Sequence, residues 1–263
     1  MKIPSCRFLS LTANLLLLLV FPISTQNVSA QPGDSVKKWK VITEIYLLFP
    51  YMKGDIGVGN HITVPVEAKP NDIFSNLTFG AMLNVEVHNS KWAFISDLLY
   101  ANLDKEVLPT KLISSGTVSA KQIIWEPSGL YRLTSYLEAG VGGRLNFMES
   151  GFDIFRKTIP SGTEEIAESA SKTWFDPILI ARVSTSIRDK WLFKVKGDLG
   201  GFGLGSDFTW QVQAYAGYRF GKLFQLTAGY KILSIDYDKG TDTNRFIYNV
   251  DTSGPVVRFG FNF

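Results

Sequence analysis

The chain has 263 residues, 45% of them apolar and 13% aromatic, with 27 basic against 24 acidic side chains for a formal charge of +3. A balance so close to neutrality gives no support to a nucleic-acid partner, and a single cysteine excludes a disulfide framework. Apolar content is ample for a folded domain, so the informative question is which way those side chains face.

At the N-terminus, Lys2 and Arg7 precede an apolar stretch from Leu9 to Ile23, and Val28-Ser29-Ala30 supplies a small-residue exit. This is the pattern of a secretory signal occupying residues 1–30 and cut after Ala30. The stretch falls short of the roughly 20 residues a membrane helix needs, and Pro22 interrupts it. Cleavage would remove Cys6, Lys2 and Arg7, leaving residues 31–263 as one domain with 25 bases against 24 acids, about +1. Such a chain has no thiol nucleophile and no lipid-attachment cysteine.

From residue 40 onward the chain falls into segments of about ten residues that alternate with the two-residue period of a strand. Lys40 to Pro50 puts Val41, Thr43, Ile45, Leu47 and Phe49 opposite Ile42, Glu44, Tyr46 and Leu48. Leu77 to His88 follows, then Trp92 to Asn102, Gln122 to Leu133, Tyr136 to Phe147, Trp174 to Ile187, Trp191 to Leu199, Phe208 to Phe220, Leu223 to Ser234 and Gly254 to Phe263. Tight polar turns at 89–91, 134–135, 188–190 and 221–222 alternate with long connections at 52–76, 103–121, 148–173, 200–207 and 235–253. Short turns at one rim and long loops at the other are the layout of an antiparallel up-and-down transmembrane β-barrel. Ten strands are favoured over eight.

Parity carries the orientation. The face bearing Leu, Val, Phe and Trp holds no charge within these segments, whereas the opposite face collects Glu44, Glu86, Asp97, Glu126, Glu138, Asp176 and Asp198 with Arg132, Arg144, Arg182, Lys194, Lys196, Arg219, Lys231 and Arg258. A soluble sandwich or lipocalin-like barrel has the reverse sense, and the glycines and glutamines of the charged face would make a poor core. The all-β reading is therefore a barrel with lipid outside and a charge network in the lumen. Trp92, Tyr100, Trp191, Trp210, Tyr218, Phe220 and Tyr230 stand where interface girdles belong. Seven acids interleaved with eight bases predict a lumen crossed by ion pairs, and ten strands leave a narrow interior.

Chemistry-bearing motifs are few. The glycines of Asp198-Leu-Gly-Gly-Phe-Gly-Leu-Gly-Ser-Asp207 precede a strand, not the helix a phosphate loop requires, and read as a hairpin. Asp236, Asp238, Asp242 and Asp251 fail the EF-hand spacing, because Gly240 is one place early and Ile247 stands where the closing Glu belongs. His61 and His88 are the only histidines and neither shows a nucleophile partner, so no catalytic residue, cofactor or metal is assigned. A lipid or peptide hydrolase is the least favoured reading.

The signal, the terminal Phe263 and the segments Trp174-Phe-Asp-Pro177, Gly197-Asp-Leu-Gly-Gly-Phe-Gly-Leu-Gly-Ser-Asp-Phe-Thr-Trp-Gln211 and Ala228-Gly-Tyr-Lys231 resemble a widespread group of poorly characterised bacterial outer-membrane β-barrel proteins. The resemblance covers most of residues 31–263. More distantly the layout is similar to OmpA-type and OmpW-type barrels, without the peptidoglycan-binding domain of the former and with ten strands instead of the latter's eight. It implies the outer membrane as location, membrane lipid and lipopolysaccharide as surroundings, and insertion by the barrel assembly machinery, with Phe259, Phe261 and Phe263 on the last strand as the signal read. Slow passage of small solutes is the expected activity, and a closed barrel serving envelope integrity or loop-mediated binding is the rival.

Overall fold

The computed structural model describes residues 39–58, 62–106, 113–158, 162–185 and 190–263. The signal segment, Cys6 and His61 lie outside them. The strands are β1 (Lys40–Leu48), β2 (Tyr51–Val58), β3 (Ile62–Ala68), β4 (Leu77–His88), β5 (Trp92–Glu106), β6 (Ile113–Arg132), β7 (Leu137–Thr158), β8 (Gly162–Ser184), β9 (Trp191–Gly200), β10 (Phe208–Arg219), β11 (Phe224–Lys239) and β12 (Phe246–Asn262), with a helix α1 (Pro70–Ser75) between β3 and β4.

All pairings are antiparallel, and β12 closes on β1 through Ile42 opposite Asn262 to Leu48 opposite Val256. The twelve strands make ten staves. β2 continues β1 along the same neighbour, since β12 pairs β1 with its C-terminal half and β2 with its N-terminal half. β3 and β4 likewise share one stave, facing β2 and β1. Pro50 supplies no N–H and marks the joint in the first stave, while Pro70 opens α1 in the second.

The wall has an outer and an inner surface of opposite character. Val141, Leu179, Trp191, Phe193 and Leu199 are each more than half exposed on the outside, while Glu44, Glu126, Glu138, Arg144 and Arg182 are buried inside. Burial therefore follows the parity of the sequence along the described residues of the ten predicted segments.

The long connections are where structure and sequence differ. Among the described residues of the five predicted loops, only those of 200–207 are mostly loop; β7 and β8 run 22 and 23 residues, and β11 and β12 stay paired as far as Lys239 opposite Phe246. A membrane-crossing strand needs only about 9–11 residues, so the sheet projects well past the apolar belt. Apolar-out alternation fades there because the outer face meets water, as with Asn249 and Asp251, while Leu233, Ile235, Tyr237, Phe246, Tyr248 and Val250 turn inward. The barrel is inside-out where the belt lies and has the ordinary soluble sense above it.

Candidate functional site

The candidate site is the lumen, which is stratified. At the short-turn end is a vestibule of about 70 Å³ lined by charged side chains. Register puts Arg132 opposite Glu138 on β6 and β7, and Glu138 opposite Arg182 on β7 and β8. Arg132 Nη2 donates to Glu138 Oε1 at 2.7 Å, and Arg182 Nε donates to Glu138 Oε2 at 2.6 Å. Arg182 then reaches across the lumen, with Nη1 at 2.6 Å and Nη2 at 3.0 Å from the two oxygens of Glu86 on β4. Lys194 Nζ stands 3.8 Å from Glu86, and Arg219 donates to Gln225 at the rim.

Mid-barrel, Arg144 is the hub and has no exposed surface. Its Nε donates to Glu126 Oε1 at 2.8 Å, Nη2 to Asp198 Oδ1 at 2.7 Å and Nη1 to Thr209 Oγ1 at 2.7 Å. Lys196 and Gln211 complete Glu126 at 3.4 and 3.2 Å. Beside it, Arg258 lies between the rings of Tyr46 and Tyr215, 4.5 Å from each centroid, and donates to Glu44 at 3.1 Å and to the Tyr215 hydroxyl at 2.9 Å. Tyr46 donates to Asp97 at 2.6 Å. Such stacking on two aromatic faces suits a guanidinium and not an ammonium.

Asp176 stands apart from the cation network. It accepts from Ser206 N at 2.6 Å, Ser206 Oγ and Asn146 Nδ2 at 2.9 Å and Trp174 Nε1 at 3.1 Å, so it anchors the glycine-rich loop, folded inward onto the barrel. Gly201 and Gly203 take φ of +83° and +79°, and a Cβ on Gly205 would lie 2.3 Å from the Phe175 carbonyl oxygen. The hairpin reading of this motif holds.

Above the ionic layer the interior is apolar. Trp174 packs on Tyr237, Tyr248 and Phe246 at centroid distances of 4.4, 5.9 and 6.4 Å, over Leu233, Ile235 and Val250. Ile235, Tyr237, Phe246, Tyr248 and Val250 of this layer fall within the connection predicted at 235–253, whereas Trp174 and Leu233 belong to predicted strands. Its signal was present, since Leu233, Ile235 and Tyr237 continue the inward row of β11 at the same two-residue period.

Of the fifteen charges assigned to the lumen, thirteen belong to these contacts between charged or amide side chains, Asp176 holds the loop, and Lys231 is buried at the boundary between the ionic and apolar layers. Phe259, Phe261 and Phe263 face outward, and Phe263 exchanges backbone hydrogen bonds with Val41 at 2.8 and 3.2 Å, which stitches the last strand to the first. His88 is buried with Nδ1 3.5 Å from Glu86, and among the described residues no hydroxyl bonds its ring. Within the acidic cluster, Asp238 is gripped by Arg245 at 2.8 and 2.5 Å, and those hydrogen bonds hold its carboxyl below the ordinary range.

A closed antiparallel barrel, greasy outside and ionic within, has the fold of the porin-like transmembrane β-barrels found in outer membranes. No protein-family model and no curated protein matches the chain. Among solved structures, the chain is similar to a CymD monoaromatic hydrocarbon channel at 10% identity and TM-score 0.36, over 85% of this chain and 87% of that one. It is similar to Ail, the attachment invasion locus protein of Yersinia pestis, at 12% identity and TM-score 0.35, over 86% and 98%. A third is the toluene transporter TodX of P. putida, at 8% identity and TM-score 0.37, over 85% and 89%. The fold stands on the strand pairing above.

Proposed function

We propose that this protein is an integral outer-membrane barrel without enzymatic activity, shut to axial flow of solutes, that serves envelope integrity or binding at its long-hairpin end. One observation carries the reading: the buried network around Arg144, which reaches from β6 and β7 to β9 and β10 with no exposed guanidinium surface. An ion crossing that layer would have to break several charge-assisted bonds in a low-dielectric interior. This supports the closed barrel over the narrow passive channel.

The exposed apolar belt supports lipid and lipopolysaccharide as its surroundings, and the outward Phe259, Phe261 and Phe263 support recognition of β12 by the barrel assembly machinery. The isolation of His88 from any hydroxyl among the described residues supports a non-catalytic role. Planar-bilayer recording tests the central point. Wild-type protein is expected to stay silent, and an Arg144→Ala, Glu126→Ala double variant to show stepwise openings. Steps in the wild type that vanish when Arg144 and Arg182 are neutralised would reinstate the narrow channel.

A further inference from the structure

At its short-turn end the lumen opens from the ionic vestibule into a second cavity of about 550 Å³, at the rim of the barrel. That size falls in the range of roughly 300–1,000 Å³ typical of small-molecule sites. The ends of β9, β10, β12, β1 and β4 and the turn between β10 and β11 line it, and the pairing order makes these consecutive staves. Backbone contacts set their spacing. Arg219 N donates to the Lys190 oxygen at 2.8 Å, Asn262 N donates to the Leu223 oxygen at 2.7 Å, and Lys40 stands opposite His88.

The charge of this mouth is one-sided. Lys40, Lys190, Arg219 and Lys222 line it, and no acidic side chain does. Lys40, Lys190 and Arg219 continue the inward rows of β1, β9 and β10 to the rim, past the last inward carboxylates of the wall. Those carboxylates are already engaged: Glu86 with Arg182 at 2.6 and 3.0 Å, Glu138 with Arg132 and Arg182 at 2.7 and 2.6 Å, and Glu44 with Arg258 at 3.1 Å. A carboxylate at Phe263 would set one negative charge against the four bases.

His88 forms the floor between the two cavities. It is 2% exposed, lines both of them, and neither ring nitrogen has a hydrogen-bond partner among the described residues. Its Nδ1 lies 3.5 Å from Glu86 Oε1 without making a hydrogen bond, and Glu86 is held by Arg182. A buried imidazole left in this state carries the desolvation cost of its polar nitrogens, which an oxyanion accepting from Nε2–H would remove. The vestibule beyond it is only about 70 Å³ and is crossed by the bonds of Arg182 to Glu86, so a ligand of the mouth stops at His88.

We propose that this mouth binds a phosphate group, with its oxygens on Lys40, Arg219 and Lys222 and on Nε2 of His88. Bases converging from separate staves suit a multiply charged anion with several acceptor oxygens better than a carboxylate, which offers two oxygens in one plane. The outward Phe220 and Phe263 form the outer edge of the same cavity, so a phosphate reaches it either free in solution or as the headgroup of an anionic lipid standing against those rings. The site stands at the end opposite the long hairpins and holds whether or not the lumen conducts.

The test titrates the full protein in dodecyl maltoside, an amphiphile without phosphate, with pyrophosphate and with acetate at matched ionic strength, read by calorimetry. Saturable binding of one pyrophosphate per barrel is expected, about tenfold or more tighter than acetate. A Lys40→Gln, Lys222→Gln double variant and His88→Leu are each expected to weaken it about tenfold, whereas His88→Gln, which keeps an N–H, binds within about threefold of wild type. Lys40 and Lys222 are exposed, so the double variant keeps the fold and decides the matter where His88→Leu does not fold. Native mass spectrometry of protein exchanged into mixed phosphatidylglycerol and phosphatidylcholine supplies the second arm. Retention of phosphatidylglycerol over phosphatidylcholine with pyrophosphate silent assigns the site to a lipid headgroup, pyrophosphate binding without that retention assigns it to free phosphate, and competition between the two assigns one site open to either. Absence of both preferences, or either preference intact in the double lysine variant, overturns the site.

Discussion

Arg144 shows how much a single buried guanidinium organises. Three of its nitrogens each meet an oxygen at 2.7–2.8 Å, from β6, β9 and β10, so one side chain ties three staves across the lumen. A buried ion pair adds little relative to well-packed apolar residues, but removing one partner strands the others and costs about 3–5 kcal/mol. Arg144→Ala should therefore destabilise the barrel by about that amount, read as a lower urea midpoint in lipid vesicles followed by tryptophan fluorescence, and Arg144→Lys should recover only part because one ammonium cannot address three acceptors in a plane. A midpoint unchanged by Arg144→Ala would mean the network is ornamental. Parity alone placed Arg144, Glu126 and Asp198 on the inner face. It could not say who pairs with whom, because contacts such as Arg182 with Glu86, 96 residues apart, and Arg258 with Glu44, 214 apart, are set by how the sheet closes. Lys231 was legible as an inward charge too.

Among the elements, the hairpin between β9 and β10 separates two reasons for a glycine. Gly203 has φ of +79° with nothing within 4 Å of a Cβ, so Gly203→Ala meets only backbone strain, of order 1–2 kcal/mol for an L-residue in the left-handed region. Gly205 is the opposite case. A Cβ there would lie 2.3 Å from the Phe175 carbonyl oxygen and 2.5 Å from Asp176 Oδ1, so Gly205→Ala must push the loop off its anchor. The measurable difference is accessibility: Gly205→Ala should free the loop from Asp176 and raise its protease sensitivity, whereas Gly203→Ala should leave it resistant. Equal sensitivity would show that the loop is held by something other than Asp176. The sequence identified this motif because its glycine density is local information. It misassigned the four longer connections for the complementary reason: the reading required apolar residues outward, and above the belt the sense reverses. β11 shows the switch within one strand, as its inward row passes from Gln225, Thr227 and Lys231 to Leu233, Ile235 and Tyr237. The end of the β1–β4 ladder at Ile45 opposite Leu83, before pairing resumes at Met52 opposite Ala68, had a weaker trace in Pro50 and Pro70, which mark where a ladder stops but not which segments face one another.

For the molecule as a whole, the decisive property is a solvent that changes along a single strand. Leu179 and Ser171 both lie on the outer face of β8, eight residues apart by number, with Leu179 opposite Val141 and Leu199 in the belt and Ser171 opposite Glu149 above it. In water the two positions would tolerate an arginine about equally, because both are exposed and neither packs a core. In a bilayer they would not. An arginine on the lipid face costs about 2–4 kcal/mol near the midplane and about 0–1 near the interface. Leu179→Arg should therefore lower stability in lipid vesicles by about 2–4 kcal/mol, while Ser171→Arg leaves it within about 0.5 kcal/mol, as an ordinary surface substitution does. In detergent, whose micelle deforms around a charge, the gap between the two variants should narrow. If both arginines cost the same in vesicles, the exposed leucines, valines and phenylalanines of the belt are not in hydrocarbon, and the buried charges lose the reason for facing inward.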